Sequence, residues 1–233
     1  MTHMSNVLGL EQDVASVGAV CRRRGVMFLV DAAQSAGHLP VDMKQMGIDL
    51  LAFAGHKGMY GIAGSGGLVL NEGADVRPLT MGGTGTESLS LEQPRFYPER
   101  LESGTLNLPA IASLAEGTNY VSENRAAFSA RLTEYTQMIV KELSELSAVT
   151  LYSKPNPAGI VAFNLLNLPS EEGAEVLSER FDIAVRGGLH CAPLMHRSLG
   201  TERTGAIRVS LSPHNTVREI KVFLNAVRRM TLS

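Results

Sequence analysis

The chain has 233 residues, and 44% of them are hydrophobic, which is enough to bury a substantial core in one large or two small domains. Its net charge of -2 gives no electrostatic reason to expect nucleic-acid binding. No membrane-spanning run, signal-peptide pattern or disulfide framework is visible in the sequence, so a reduced cytoplasm is the expected compartment.

Apolar periodicity and the positions of glycine predict helices and strands that alternate along the chain. The expected helices cover 11–24, 41–46, 108–146 (with a break near Gly117), 171–181 and 217–230. The expected strands cover 26–30, 49–53, 67–70, 149–152, 159–164, 183–186 and 206–210. Thr216 and Glu219 are spaced as a capping box for the last helix. This order of elements predicts an α/β fold.

Two charged residues stand at the ends of two predicted buried strands. Asp31 follows the apolar run 26–30, and Lys57 follows the run 50–53. Ligands of open α/β sheets gather beyond the C-terminal ends of the strands. A lysine for a Schiff base and a carboxylate for the pyridinium nitrogen are what pyridoxal phosphate requires from a protein. The spacing therefore indicates a pyridoxal-phosphate site.

These residues resemble the class V, fold-type-I enzymes that depend on pyridoxal phosphate, above all the cysteine desulfurases. The segments HMSNVLG (3–9), VDAAQ (30–34), RLESGTLN (100–107) and RGGLHCAPL (186–194) are similar to family motifs and keep the family's order. The resemblance implies two α/β parts. Residues 1–118 would belong to a large cofactor-binding domain, with a mainly parallel sheet flanked by helices. Residues 119–233 would form a small C-terminal domain that carries the cysteine loop.

The resemblance also implies roles for residues around the cofactor. Lys57 would hold the cofactor covalently and move the Cα proton, and Asp31 would pair with the pyridinium nitrogen. Gln34 would donate to the phenolate oxygen, and His56 beside the lysine would contact the phosphate. Ala54 stands where the family often has a hydroxyl residue, so we expect the phosphate to depend more on backbone N–H groups.

On the substrate side, Cys191 lies in a predicted loop, where a thiolate would attack the substrate sulfur and carry it as a persulfide. Cys21, on a predicted helix, is expected to be a buried small hydrophobe. Arg208 lies inside an apolar strand, where it forms either a structural ion pair or a fork for the substrate carboxylate. Asn6 would assist at the carboxylate or at the cofactor oxygen.

Gly83 and Thr105 would reach the phosphate of a neighbouring subunit across a dimer interface, with ordinary turn chemistry as the alternative for Gly83. The resemblance thus implies pyridoxal 5'-phosphate, L-cysteine as substrate, a homodimer, a possible sulfur-acceptor protein and a role in iron–sulfur cluster assembly. Family members carry a longer N-terminal part with a phosphate-binding turn, so we expect this chain to be a C-terminal portion of such an enzyme.

Several alternatives stay open at this point. A selenocysteine lyase or a class V aminotransferase shares the lysine core, although simple transamination needs no thiol. An incomplete module that dimerises without catalysis is a further possibility. A metal site is disfavoured, because His190, Cys191 and His196 have no second ligand cluster. The glycine-rich stretch 58–67 lacks the ending of a P-loop, and no Gly-x-Ser-x-Gly elbow of a hydrolase is present.

Overall fold

The computed structural model describes residues 1–166 and 168–232 and confirms the α/β class. The helices are α1 (Val14–Arg24), α2 (Leu108–Ser144), α3 (Ser170–Phe181), α4 (Pro193–Leu199) and α5 (Val217–Thr231). The strands are β1 (Leu29–Asp31), β2 (Leu50–Ala54), β3 (Gly66–Leu70), β4 (Val149–Leu151), β5 (Ile160–Leu165) and β6 (Ile207–Ser210). Within the described ranges, no helix is both long and apolar enough to cross a membrane.

The first sheet has the order β1-β2-β3 and is mixed. β1 and β2 are parallel, with Asp31 opposite Ala52, whereas β2 and β3 are antiparallel, with Ala54 opposite Gly66. The expected parallel pairing thus holds for one of the two strand pairs. β3 runs the other way because the chain returns to it through the short glycine-rich segment 55–65, and a parallel partner needs a longer crossover.

The second sheet, β4-β5-β6, is antiparallel throughout and forms the larger core. Its central strand β5 is almost completely buried, and Phe163 packs edge-on against Phe223 of α5. Helices α2, α3 and α5 contribute Ile139, Leu177 and Val227 to the same core. In the first half, Cys21 of α1 is half-buried against a smaller cluster, as expected for a small hydrophobe.

Two predicted elements are wrong. Residues 41–46 form hydrogen-bonded turns rather than a helix, because the Asp42 side chain accepts the Gln45 N–H and competes with a helix too short to nucleate. Residues 183–186 make only an isolated bridge, in which Arg186 pairs with Arg208. The pairing stops there because Gly187 turns the chain against the Ser170 backbone, where a Cβ has no room.

Helix α2 is unbroken, so the predicted interruption near Gly117 is wrong. A Cβ at Gly117 would clash with the Met59 carbonyl oxygen, so this glycine permits close packing of α2 on the segment after β2. The expected domain boundary at 118/119 lies inside the continuous helix. The capping box of Thr216 and Glu219 at the start of α5 is confirmed.

Candidate functional site

The ends of β1 and β2 meet at one edge of the first sheet. Asp31 is the last residue of β1, and Lys57 follows shortly after the end of β2. The two strands are parallel, so both ends point the same way. A Cβ at Gly37 would clash with the Gly58 carbonyl oxygen, which shows that the turn after β1 packs directly on the residue after Lys57. Gln34 lies half-buried in that turn.

The Asp31 carboxylate is exposed, and one of its oxygens has a local partner. Oδ1 accepts the Ala33 N–H at 2.8 Å, which fixes the side chain at the strand end. No described cation forms an ion pair with it at the distances of a salt bridge. The carboxylate is therefore available to a positively charged group at this edge.

The Lys57 loop has a fixed backbone and free side chains. The Tyr60 N–H donates to the Lys57 carbonyl oxygen at 3.0 Å, and Tyr60 adopts a left-handed conformation with φ of 57°. Close packing of Gly117 on Met59 holds the loop from the side of α2. The side chains of Lys57 and His56 are exposed. A rigid loop with an exposed amine suits covalent capture of an aldehyde.

An aromatic cluster that sequence reasoning missed connects this loop to the C-terminal half. Tyr60 packs edge-on against Tyr120 of α2, with ring centroids 5.6 Å apart. Tyr120 stacks on His214, which lies just before α5, and Phe128 contacts all three rings. Tyr60, α2 and His214 are too far apart in sequence for any local pattern to connect them.

The cysteine loop lies in the C-terminal half and is conformationally strained. His190 and Cys191 both adopt left-handed conformations, with φ of 50° and 58°. Successive non-glycine residues in this region are uncommon and cost energy, and such outliers cluster at functional sites. Cys191 is exposed, and Nη2 of Arg186 lies 3.9 Å from its Sγ. The sulfur therefore has a cation as its neighbour.

His190 is buried and neutral near pH 7. Only 2% of the residue is exposed, and its Nε2 donates to the Ala206 carbonyl oxygen at 2.9 Å. Burial above all, together with the neighbouring Arg208, His196 and Arg186, lowers the pKa of His190 to about 4, while the bond to Ala206 opposes the change. The positive charge beside Cys191 therefore comes from Arg186 and not from the adjacent histidine.

Arg208 connects the cysteine loop to the start of the chain. Its Nη1 donates to the Asn6 carbonyl oxygen at 2.8 Å, and Nδ2 of Asn6 donates to the His190 carbonyl oxygen at 2.7 Å. Burial, and then Arg186, lowers the pKa of the Arg208 guanidinium, while Cys191 opposes this. Nε of Arg208 is buried without a partner. No acid in the described part of the chain pairs with Arg208, so the structural ion pair is wrong.

Gly83 and Thr105 come together on a long loop between β3 and α2. The Gly104 N–H donates to the Gly82 carbonyl oxygen at 3.1 Å, and both Gly83 and Thr105 are exposed. The organiser of this loop is Gln93, which the sequence did not suggest. Its Oε1 accepts the Gly82 N–H at 2.9 Å, and its Nε2 donates to the carbonyl oxygens of residues 99 and 102.

No described group of three or more His, Cys, Asp or Glu side chains is arranged to hold a metal ion. The structure thus has two clusters of polar groups, one at the ends of β1 and β2 and one around the cysteine loop. The N-terminal segment connects the two clusters. The His3 N–H donates to the Asp31 carbonyl oxygen, and three residues later the Asn6 side chain donates to the His190 carbonyl oxygen.

Comparison with known proteins gives a consistent result. The family model for aminotransferase class-V matches residues 1–223. A probable cysteine desulfurase of Methanothermobacter thermautotrophicus is 36% identical over 95% of this chain and 57% of its own length. A cysteine desulfurase of Escherichia coli is 35% identical over 99% of this chain and 57% of its own length.

Solved structures agree with these relatives. The apo structure of a cysteine desulfurase from Thermococcus onnurineus NA1 superimposes with a TM-score of 0.88 and 31% identity, over 99% of this chain and 58% of that one. The cysteine desulfurase CsdA of Escherichia coli superimposes with a TM-score of 0.84 and 26% identity. The chain spans somewhat more than half the length of the relatives that it matches.

Proposed function

Because the chain belongs to the aminotransferase class-V family, we propose that it acts in a cysteine desulfurase that depends on pyridoxal 5'-phosphate. The proposed reaction converts L-cysteine into L-alanine and leaves the sulfur as a persulfide on Cys191. The observation that carries this proposal is the cysteine loop. It presents an exposed thiol beside Arg186, on the same backbone that Asn6 connects to Arg208.

The residues at the end of the first sheet fit the cofactor. The exposed Lys57 amine would hold its aldehyde, and the Asp31 carboxylate, which lacks a described cationic partner, would pair with its pyridinium nitrogen. Gln34 would donate to the phenolate oxygen, and His56 would contact the phosphate. Once bound, pyridoxal phosphate supplies an electron sink for a carbanion at the substrate Cα.

The substrate side of the site follows from Arg208. Its buried Nε has no partner in the described structure, so a substrate carboxylate would satisfy a donor that is costly to leave free. We place Asn6 beside the same carboxylate, because its backbone already accepts from Arg208. Lys57 Nζ, once the substrate amino group has replaced it at the cofactor aldehyde, would then remove the proton from the substrate Cα.

The sulfur step uses Cys191 as nucleophile. Its Sγ attacks the substrate sulfur, an S–S bond forms, and the bond between Cβ and sulfur breaks. The electron pair of the broken bond stays on the substrate carbon, which takes up a proton, and alanine leaves. L-cysteine and the Cys191 thiol thus give L-alanine and the persulfide, without an external oxidant or reductant.

We further propose that the chain works as a homodimer divided into domains at 118/119. Support for the dimer comes from the loop that carries Gly83 and Thr105, because its leucines at 79, 89 and 91 are almost completely exposed. Gly83 and Thr105 would reach the cofactor phosphate of the partner subunit. The exposed Cys191 suits delivery of sulfur to an acceptor protein, including one in iron–sulfur cluster assembly. The two free cysteines suit the cytoplasm.

The first experiment is the visible absorption spectrum of the purified chain after addition of pyridoxal phosphate and removal of the excess. We expect a yellow band in the parent and none in Lys57→Ala. Alanine and sulfide released from L-cysteine in the presence of a thiol reductant are then measured. Cys191→Ser should abolish sulfide release, whereas the matched control Cys21→Ser should retain it.

The outcomes separate the alternatives. A Cys191→Ser variant that releases sulfide at the parent rate would refute the persulfide step. Turnover of selenocysteine alone, or of an amino donor with a keto acid, would instead indicate a lyase or an aminotransferase. A chain that stays colourless and inert would support a module that associates without catalysing the reaction.

A further inference from the structure

Directly behind the cysteine loop lies a pair of buried imidazole rings. His190 precedes Cys191, and His196 lies on the short helix α4 that follows it. Their ring centroids are 5.7 Å apart, and His196 is completely buried. Nδ1 of His196 lies 2.9 Å from Oγ1 of Thr201, which is itself almost completely buried. The chain after the cysteine therefore turns back to contact the residue before it.

This arrangement is costly for the fold. Nδ1 of His190 and Nε2 of His196 are both buried without a described partner. A buried polar atom without a hydrogen bond costs free energy that two apolar side chains of similar volume would not. The charged groups that face His190 are Arg186 and Arg208, and no acid among the described residues shifts its pKa noticeably. Packing alone does not account for two imidazoles at this position.

The geometry connects this pair to the thiol. His190 is held at three points: its carbonyl oxygen by Asn6, its ring nitrogen by the Ala206 carbonyl oxygen, and its ring by the tilted ring of His196. The next residue is Cys191, whose left-handed backbone sets the direction of Sγ towards Arg186. The third contact depends on the orientation of the His196 ring, which its hydrogen bond with the Thr201 hydroxyl fixes.

We propose that Thr201 and His196 form a positioning pair, which acts through His190 to hold Sγ of Cys191 within reach of the Arg186 guanidinium. The pair touches no reacting atom. Its importance for catalysis rests on the proposed function, in which Cys191 is the nucleophile. The geometric effect on the thiol does not depend on that function.

The test is the rate at which iodoacetamide alkylates Cys191 at fixed pH, without cofactor or substrate. All variants carry Cys21→Ser, so that a single thiol reacts, and mass spectrometry confirms the modified residue. Thr201→Val removes the hydroxyl at nearly constant volume, and Thr201→Ser keeps it. Thr204→Val is the matched control, because the one hydrogen bond described for the Thr204 hydroxyl is a long one, to the neighbouring Gly205 carbonyl oxygen at 3.4 Å.

We expect Thr201→Val to slow alkylation about five-fold, the equivalent of one ordinary hydrogen bond, because Sγ moves away from the Arg186 guanidinium. Thr201→Ser and Thr204→Val should stay within about two-fold of the parent, as expected for substitutions that remove no interaction with the imidazoles. His196→Asn removes the contact between the His196 and His190 rings but keeps a polar atom that can hydrogen-bond to the Thr201 hydroxyl. It should slow alkylation as much as Thr201→Val does.

A double-mutant cycle distinguishes positioning from general loosening. Arg186→Gln alone should slow alkylation, and adding Thr201→Val to it should have no further effect, because the interaction that the pair maintains is already lost. The proposal is overturned if Thr201→Val reacts at the parent rate, or if it slows alkylation equally with and without Arg186. Thermal unfolding of each variant shows that the compared proteins are folded.

The same variants keep this proposal separate from the proposed function. A slow Thr201→Val in a chain that does not turn over cysteine supports positioning and contradicts desulfurase activity. An unchanged alkylation rate in an active desulfurase contradicts positioning alone. In an active enzyme, Thr201→Val should also lower kcat with little change in KM, because Arg208 still holds the substrate carboxylate.

Discussion

Acidification should destabilise the fold through His190. The ordinary pKa of a histidine is 6.5, whereas burial lowers that of His190 to about 4 in the folded chain. Below pH 6.5 the unfolded chain therefore binds a proton that the folded chain does not. The resulting stability is fully present above pH 6.5 and is lost progressively as the pH falls towards 4.

The magnitude follows from the difference between the two pKa values. Each pKa unit corresponds to about 1.4 kcal/mol, so a difference of about 2.5 gives an upper limit of about 3 kcal/mol at pH 4. Partial screening by solvent reduces this limit, although the side chain itself is almost completely buried. Local opening of the loop would let His190 take up its proton without unfolding of the whole chain, which makes the loss smaller than this limit. We therefore expect a loss of about 2–3 kcal/mol.

The assay is urea unfolding of the parent and of His190→Gln between pH 7.5 and pH 4.5. Glutamine reaches the position of Nε2 and keeps a donor for the Ala206 carbonyl oxygen, but it does not titrate. The variant should therefore show a smaller loss of stability with acidification. His214→Gln, at an exposed histidine outside the cysteine loop, controls for the loss of one imidazole, and the cost of losing its stacking on Tyr120 is measured in that variant at pH 7.5. Equal pH dependence in parent and His190→Gln would refute the assignment of a buried neutral imidazole.

Three further predictions concern stability and are measured by urea unfolding. Gly117→Ala should cost about 1–3 kcal/mol and displace the lysine loop, because the added Cβ clashes with the Met59 carbonyl oxygen; an unchanged midpoint would contradict the close contact. Gln93→Ala should cost about 1–3 kcal/mol, because it leaves the Gly82 N–H and two carbonyl oxygens without their partner. Thr216→Ala should cost about 1 kcal/mol through loss of the capping box, while Thr216→Ser should retain most of it.

The strand ends could be predicted from sequence because they depend on local signals. An apolar run in the sequence indicates a buried strand, and ligands of α/β sheets bind beyond the C-terminal ends of parallel strands. The positions of Asp31 and Lys57 could therefore be predicted from two apolar runs and the residues that follow them. The same local logic failed at 41–46, where the Asp42 side chain takes a backbone N–H that the short helix needed.

Helix α4 was missed although its signals are present. Pro193 stands at the first helical position and Gly200 adopts the left-handed conformation that ends the helix. The segment is short, so these signals were assigned to the cysteine loop instead. Gln93 gave no signal at all, because a single glutamine in a polar loop becomes informative only when the chain folds around it.

The contacts around the cysteine loop show why the rest of the site required the structure. Asn6 reaches His190 and Arg208 from the opposite end of the chain, and no periodicity or spacing encodes such a pairing. Both Arg186 and His190 lie near the thiol in sequence, yet burial keeps the imidazole neutral, so the positively charged neighbour of the sulfur is Arg186. The charge state of a residue depends on its folded surroundings, which the sequence specifies only through the whole fold.

The cost of this loop is itself an argument for its function. Around the exposed thiol, the described structure has two left-handed non-glycine residues, two buried imidazole nitrogens without a partner and an arginine on β6 without an ion pair, each of which costs free energy. A purely structural module has no reason to keep all of them around one exposed thiol. A desulfurase does, because its cysteine must meet the substrate sulfur while the arginine holds the carboxylate. Relief of that strain by Cys191→Gly should stabilise the fold as it removes the nucleophile, and urea unfolding should show this gain.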